Sequence, residues 1–213
     1  MDLPEKPISR NVTDEQLVEF YRAGHTDAFA VLVKRYRQEL YHFLIRFTGN
    51  RASAEDVFQE TFLQVHLSLD SFQVDRKFKP WLFTIGANKA RDHLRRNKRR
   101  SAVPLSAPLQ QAGGEDQRSY LDLMQAELPL PDEHAVCRET EERVTKVVHS
   151  LPDHLREILV LAYFHQLPYK EIADILEIPL GTVKSRLHAA VGTFGKLWKE
   201  QAETSEDERT EPG

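Results

Sequence analysis

From residue 14 onward the apolar positions recur with the period of a helix. Residues 14–47 read as two helices. In the second, Phe29, Leu32, Val33 and Tyr36, then Leu40, Phe43, Leu44 and Phe47, step at i, i+3, i+4 and i+7. Gly49-Asn50 ends that helix. Ser53, two residues ahead of Glu55-Asp56, opens a third that runs to about Leu69, with its acids in the first turn, where the helix dipole favours them. A loop of residues 70–77 follows. Pro80, a residue suited to a helix start, opens a fourth helix through Trp81, Leu82, Ile85 and Leu94 into the basic run Arg95-Arg96-Asn97-Lys98-Arg99-Arg100.

The periodicity then stops. Residues 101–138 are rich in Ser, Pro, Ala, Gln and Gly, the composition of a linker. Within them Tyr120-Leu121-Asp122-Leu123-Met124 reads equally as a transient helix or a docking patch. From Glu139 a helical stripe returns in Val144, Val147 and Val148, is broken at Leu151-Pro152, and resumes in Leu155, Ile158, Leu159 and Ala162. Two further helices, Lys170–Leu176 and Thr182–Leu197, flank the turn of residues 177–181. Residues 200–213 lack large apolar side chains and predict a disordered acidic tail. No strand pattern of useful length and no repeat is present. The expected fold is all-α: two small helical domains, at 12–100 and 139–199, joined by a flexible linker at 101–138.

Composition changes this picture little, but charge changes it considerably. Of 213 residues 40% are hydrophobic and 29% charged, enough for a packed core in a soluble chain. No apolar run approaches the roughly 18 residues of a membrane span, and the N-terminus does not have the form of a signal peptide. The one cysteine, Cys137, has no internal partner, so a cytoplasmic protein without membrane insertion is expected. Asn11-Val12-Thr13 matches a glycosylation acceptor by chance in such a chain. The net charge of −4 conceals a segregation. Residues 14–100 carry 16 bases against 11 acids, residues 101–138 carry 2 against 6, residues 139–199 carry 8 of each, and residues 200–213 carry 1 against 6. A basic folded segment with acidic flanks suits a DNA binder.

Three constellations carry candidate chemistry. In residues 169–190, Ala173 is the small residue at a helix crossing, Pro179 and Gly181 break the chain, and Val183 and Leu187 bury the second helix against Ile172, Ile175 and Leu176. Thr182, Lys184, Ser185 and His188 then face outward, beside orphan amides at the helix N-terminus that suit phosphate. By spacing alone this is a helix-turn-helix or an ordinary helical hairpin. In residues 53–66, Asp56, Gln59 and Glu60 share one helix face and Phe58 and Phe62 another. The polar stripe is a docking surface for a basic partner or a solvated face. In residues 77–96, aromatic and basic side chains alternate, as single-stranded nucleic acid favours. There Trp81, and with it Phe78 and Phe83, read more readily as core than as platforms for a base. No HExxH, paired CxxC or phosphate loop is present: Gly192-Thr193-Phe194-Gly195-Lys196 has the wrong spacing, and His134 and Cys137 have no second pair. Neither an enzyme nor a metal or cofactor site is expected.

The motifs in EIADILEIPLGTVKSRLHAA, SAEDVFQETFLQVH and KFKPWLFTIGANKARDHLRR together resemble bacterial RNA polymerase sigma factors of the extracytoplasmic-function (ECF) type, in the sigma-70 family. The resemblance covers both domains, in order. It implies a factor that binds core RNA polymerase, brings it to promoters and opens the −10 strands. It implies docking through Asp56, Gln59, Glu60 and Phe62 to the β′ coiled coil, with the β flap as a second contact and an anti-sigma factor as a possible partner. It places Phe72, Gln73 and Lys77 at a −10 base pocket, where extruding a base costs a few kcal/mol, and Asn88, Lys89, Arg91, Arg95 and Arg96 along the adjoining DNA. It gives Lys184, Ser185 and His188 the −35 element, with Thr182 beside them and Arg186 in backbone contact or packing. Ala189 stands where the family usually has Arg, and Gly192 and Gly195 interrupt a usually charged helix, so weaker or altered −35 reading is expected.

Two other readings use parts of the same pattern. A helix-turn-helix regulator would need an N-terminal dimerisation or ligand domain, and would not need AEDVFQETF or KPWLF. A polymerase- or anti-sigma-binding protein that reads no promoter would fit the weakly basic segment 182–197.

Overall fold

The computed structural model describes the backbone of residues 12–101 and 138–210, and the side chains of 12–99 and 143–201. Residues 102–137 of the expected linker, with Tyr120–Met124, His134 and Cys137, lie outside the described residues, while Ser101 and Arg138 at its ends are helical. Among those described there are eight α-helices and no strand.

The first four helices form an N-terminal bundle. Helix α1 (Asp14–Arg22) starts at a capping box in which Thr13 and Gln16 exchange side-chain to backbone bonds of 3.2 and 3.0 Å. Helix α2 (Asp27–Thr48) buries the whole predicted stripe, Phe29 to Phe47, and ends at Gly49, whose φ of 90° needs a residue without a Cβ. Helix α3 (Arg51–Ser68) begins earlier than Ser53: Asn50 is its N-cap, accepting the Ser53 N–H at 2.7 Å. The Ser53 hydroxyl instead meets the His93 ring at 3.0 Å. A 3₁₀ turn, Leu69–Ser71, leads to the loop and then to α4 (Phe78–Ser101), which places Pro80 in its first turn. Gly86 lets α4 lie close on α2, since a Cβ there would stand 3.0 Å from a Leu40 methyl.

The other four helices follow as α5 (Arg138–Ser150), α6 (Asp153–Leu159, ending in a π-helical turn at Val160–Phe164), α7 (Tyr169–Leu176) and α8 (Leu180–Thr210). Gly181 lies inside the first turn of α8, not in the turn before it. The break is made by Glu177 at φ 54°, where its N–H and that of Ile178 close onto the end of α7. Helix α8 also runs unbroken through Gly192 and Gly195 to Thr210, so residues 200–210 are helical where their composition predicts disorder. Extending an existing helix needs no new nucleation, and Glu, Gln, Ala and Arg propagate it well.

The two halves are not separate beads. Helix α6 and its π-helical turn pack on α2, and α7 packs on α4, so the buried apolar residues of both halves merge into one core. Arg156 is buried in this seam. Its guanidinium donates to the carbonyls of Phe47 at 2.8 Å, His149 at 2.8 Å and Leu151 at 2.9 Å, satisfying orphan acceptors at the ends of α2 and α5.

Candidate nucleic-acid and polymerase interface

On α3, Asp56 is exposed and Gln59 and Glu60 are half-buried on the same side, while Val57, Phe58, Thr61, Phe62 and Val65 are buried on the other. Phe62 is therefore core, not contact. It is fully buried, with its ring edge-on to Phe58 at 5.0 Å and to Phe29 at 6.4 Å, and it anchors the helix that presents the acids. Glu60 takes both its carboxylate oxygens to Arg96, at 3.2 and 3.1 Å. The acidic stripe of α3 and the basic row of α4 are thus neighbours across one surface.

Phe72 is likewise not in a position to stack on a base. It is 4% exposed and packs against Trp81 at 4.8 Å and Phe78 at 5.8 Å. Trp81 is only partly buried, and Phe78 and Phe83 are wholly buried. The loop is held from a distance by Arg22 of α1, which donates to the Leu69 carbonyl at 2.8 Å and to the Phe72 carbonyl. Nothing near Arg22 in sequence signals this role, because its partners lie about fifty positions away. Gln73 and Lys77 remain at the surface.

Along α4, Asn88, Asp92, Arg95 and Arg99 step at intervals of four, three and four, and Lys89, Asp92, Arg96 and Arg99 at three, four and three, which puts all six on one face. Lys89, Arg95, Arg96 and Arg99 line a shallow open depression with Glu60 and Asp92. Arg91 turns to the edge of that face. It donates to Asn88 at 2.5 Å and to Glu157 of α6 at 2.8 Å. In the C-terminal half, Val183 and Leu187 are buried against α7. Lys184, Ser185 and His188 are exposed on the outer side of α8, and Thr182 and Arg186 are half-buried beside them. Ser185 is turned inward to the Thr182 carbonyl at 3.1 Å.

The pattern of an acidic and a basic helix face, followed by a helix-turn-helix, has counterparts among known proteins. The family described as Sigma-70 region 2 matches residues 32–100, and Sigma-70, region 4 matches residues 141–193. The ECF RNA polymerase sigma factor SigW of Bacillus subtilis is 36% identical over 78% of this chain and 87% of its own length. The chain belongs to the ECF sigma factors. The RNA polymerase sigma-H factor of Pseudomonas aeruginosa is 33% identical over 83% of this chain and 89% of its own. The ECF RNA polymerase sigma-E factor of Escherichia coli is 33% identical over 86% and 93%. Among solved structures, CnrH in complex with the cytosolic domain of CnrY superposes with a TM-score of 0.61 at 26% identity, over 88% of this chain and 97% of that one. RpoE of Bartonella quintana, solved with the anti-sigma factor NepR, shares the fold at a TM-score of 0.58 and 22% identity, over 80% and 96%.

As an ECF sigma factor the chain is a transcription initiation factor, and region 2 stands at residues 32–100, where a helix-turn-helix regulator would need a dimerisation or ligand domain. Among the described residues no helix is long and apolar enough to cross a membrane. Sequence reasoning missed four residues that make polar contacts across the seam between the halves: Asp153 with Lys98, Arg156 with the Phe47 carbonyl, Glu157 with Arg91 and Glu171 with Lys77. On their own helices Arg156 and Glu157 look like solvated positions, and only the opposite half of the molecule buries them.

Proposed function

We propose that this sigma factor engages core RNA polymerase through Asp56, Gln59 and Glu60 of α3, reads and opens the −10 element along the Lys89–Arg99 face of α4 beside the loop of residues 70–77, and meets the −35 duplex with Lys184, Ser185 and His188 of α8. The observation that carries this reading is the adjacency of the α3 acids to the α4 bases. A polymerase docked on α3 would leave single-stranded DNA running along α4. Acidic and amide groups suit a basic coiled coil such as that of β′, and the β flap is a second surface for the C-terminal half. Arg95, Arg96 and Lys89 suit phosphates, and Gln73 offers both a donor and an acceptor to a base edge. Phe72 and Phe62 support these faces from inside. The factor itself is read as non-catalytic, without metal or cofactor, and as working in the cytoplasm. An anti-sigma partner is part of the proposal, because the Bartonella RpoE was solved with the anti-sigma factor NepR, and CnrH was likewise solved in a complex, with the cytosolic domain of CnrY.

The test is charge reversal. Asp56→Lys with Glu60→Lys should abolish co-purification with β′ while leaving the helical circular dichroism unchanged. Unaltered co-purification would remove α3 as the docking face.

A further inference from the structure

The loop assigned above to the −10 base leaves and re-enters the bundle at two buried rings. Phe72 and Phe78 pack edge-on at 5.8 Å, and residues 73–77, all exposed, span the gap between them. A turn closes the tip, with the Arg76 N–H donating to the Gln73 carbonyl at 3.0 Å. Ring packing fixes where this stem sits, but not the planes of the peptides that leave it. The peptide joining Phe72 to Gln73 is planar and carries the Phe72 carbonyl, so whatever holds that carbonyl also aims Gln73.

Both ends of the stem are bound through their backbone, and both by α1. Arg22, in the last turn of α1, donates to the Leu69 carbonyl from Nε at 3.2 Å and from Nη2 at 2.8 Å, and to the Phe72 carbonyl from Nη2. Glu15, in the first turn of α1, accepts the Phe78 N–H at 3.3 Å, an orphan donor at the start of α4. One short helix therefore grips the loop where it begins and where it ends. That helix is itself fixed. Leu17 and Val18 are fully buried, Asp14 is bonded to Arg35 and Tyr36 of α2, and the Tyr21 hydroxyl meets the His66 ring of α3 at 2.8 Å. The match to Sigma-70 region 2 begins at residue 32, after α1.

We propose that α1 is a positioning element for promoter reading: Arg22 and Glu15 hold the two ends of the loop and so set the direction from which Gln73 meets a −10 base. The inference rests on the assignment of this loop to the −10 base. Neither residue touches the base; both act through the loop backbone. A side chain that tells one base from another must hold its donor and acceptor in line with the base edge. Gln73 is exposed and has no packing of its own to keep it there. The charge-assisted bonds from Arg22 and to Glu15 supply that order before DNA arrives, so less freedom is lost on binding. Arg22 is an exposed residue, so removing its guanidinium opens no cavity in the core.

The experiment uses the full chain and a random-sequence pool of single-stranded DNA about 12 nucleotides long. Sequencing the strands that the protein retains gives its base preference at each position. The selection is run on the wild type, on Arg22→Met and Glu15→Ala, which remove the bonds, and on Arg22→Lys and Glu15→Gln, which keep a donor and an acceptor. Gln73→Ala removes the reading side chain itself. Amide hydrogen exchange of residues 72–78 and of α2 is followed in every chain. At the position that Gln73→Ala flattens, Arg22→Met and Glu15→Ala should each lower the ratio of best to next base about fivefold, the worth of one misplaced hydrogen bond. Exchange should quicken in the loop and not in α2, with Arg22→Lys and Glu15→Gln lying between those variants and the wild type. Wild-type preference in Arg22→Met and Glu15→Ala, with Gln73→Ala flattened, would overturn the clamp while leaving the loop as the reader. Faster exchange in α2 as well, with every position of the strand weakened alike, would overturn it by showing that α1 serves only the fold. No effect of Gln73→Ala at any position would overturn the assignment of the loop, and the clamp with it.

Discussion

Phe72 and Phe62 show how a residue's type and position mislead when its environment is unknown. Both stand beside segments proposed to bind polymerase or DNA, and both are buried in the core. Phe72→Ala should therefore act as a core truncation, lowering unfolding free energy by about 3–5 kcal/mol through the cavity left against Phe78 and Trp81. Denaturant melts will show it, and near-wild-type stability with altered −10 preference would instead put the ring in the site. His149 carries a different consequence of burial. Its Nδ1 is buried without a hydrogen-bond partner, and burial first, then the charge of Arg156, holds its pKa below the ordinary value of 6.5. As pH falls through that value the unfolded chain takes up a proton that the folded chain refuses. This contribution therefore costs stability on acidification, until the folded-state pKa is passed as well. Chemical denaturation of wild type and His149→Gln between pH 7.5 and about 5 should give stabilities that fall more steeply for the wild type. Parallel curves would mean that His149 titrates as a free imidazole.

At the scale of the element, periodicity located the helices well and end signals less well. The α2 stripe is buried as the pattern requires, since i, i+3, i+4 spacing forces one face together whatever it packs on. Starts and stops were displaced where a residue with the right chemistry had a better-placed neighbour: Asn50 caps α3 in place of Ser53, and Glu177, in the left-handed region, ends α7 ahead of the Pro179 and Gly181 expected to break the chain. Gly192 and Gly195 do not break α8, and a Cβ at either would meet nothing within 4 Å. Gly192→Ala and Gly195→Ala should each stabilise the chain by about 0.5–1 kcal/mol, by lowering the backbone entropy lost in the helix. Thermal melts showing no gain, or a loss, would mean that the close approach of another chain or segment uses those positions.

For the molecule as a whole, the consequence of a shared core is cooperativity. With Arg156 bonded to the end of α2 and the apolar seam continuous, the two halves should unfold in one transition, followed identically by circular dichroism and by tryptophan fluorescence. Two resolved transitions in the wild type would show that the halves are energetically independent.

The sequence by itself determined the all-α class, the order of helices, the outward placing of Lys184, Ser185 and His188 on α8, and the acidic and basic stripes of α3 and α4. Each of these is a local repeat, decided by side chains within a turn or two of one another. The tertiary structure alone decided which of the candidate residues are free to act. Lys77 and Glu171 are 94 positions apart, Arg91 and Glu157 are 66 apart, and Arg156 reaches a carbonyl 109 positions away. Contacts at such separations leave no periodic trace in the chain. They arise because the apolar faces of the two halves, each incompletely covered by its own helices, remove more surface from water by packing together, and the charges beside them then pair across the seam.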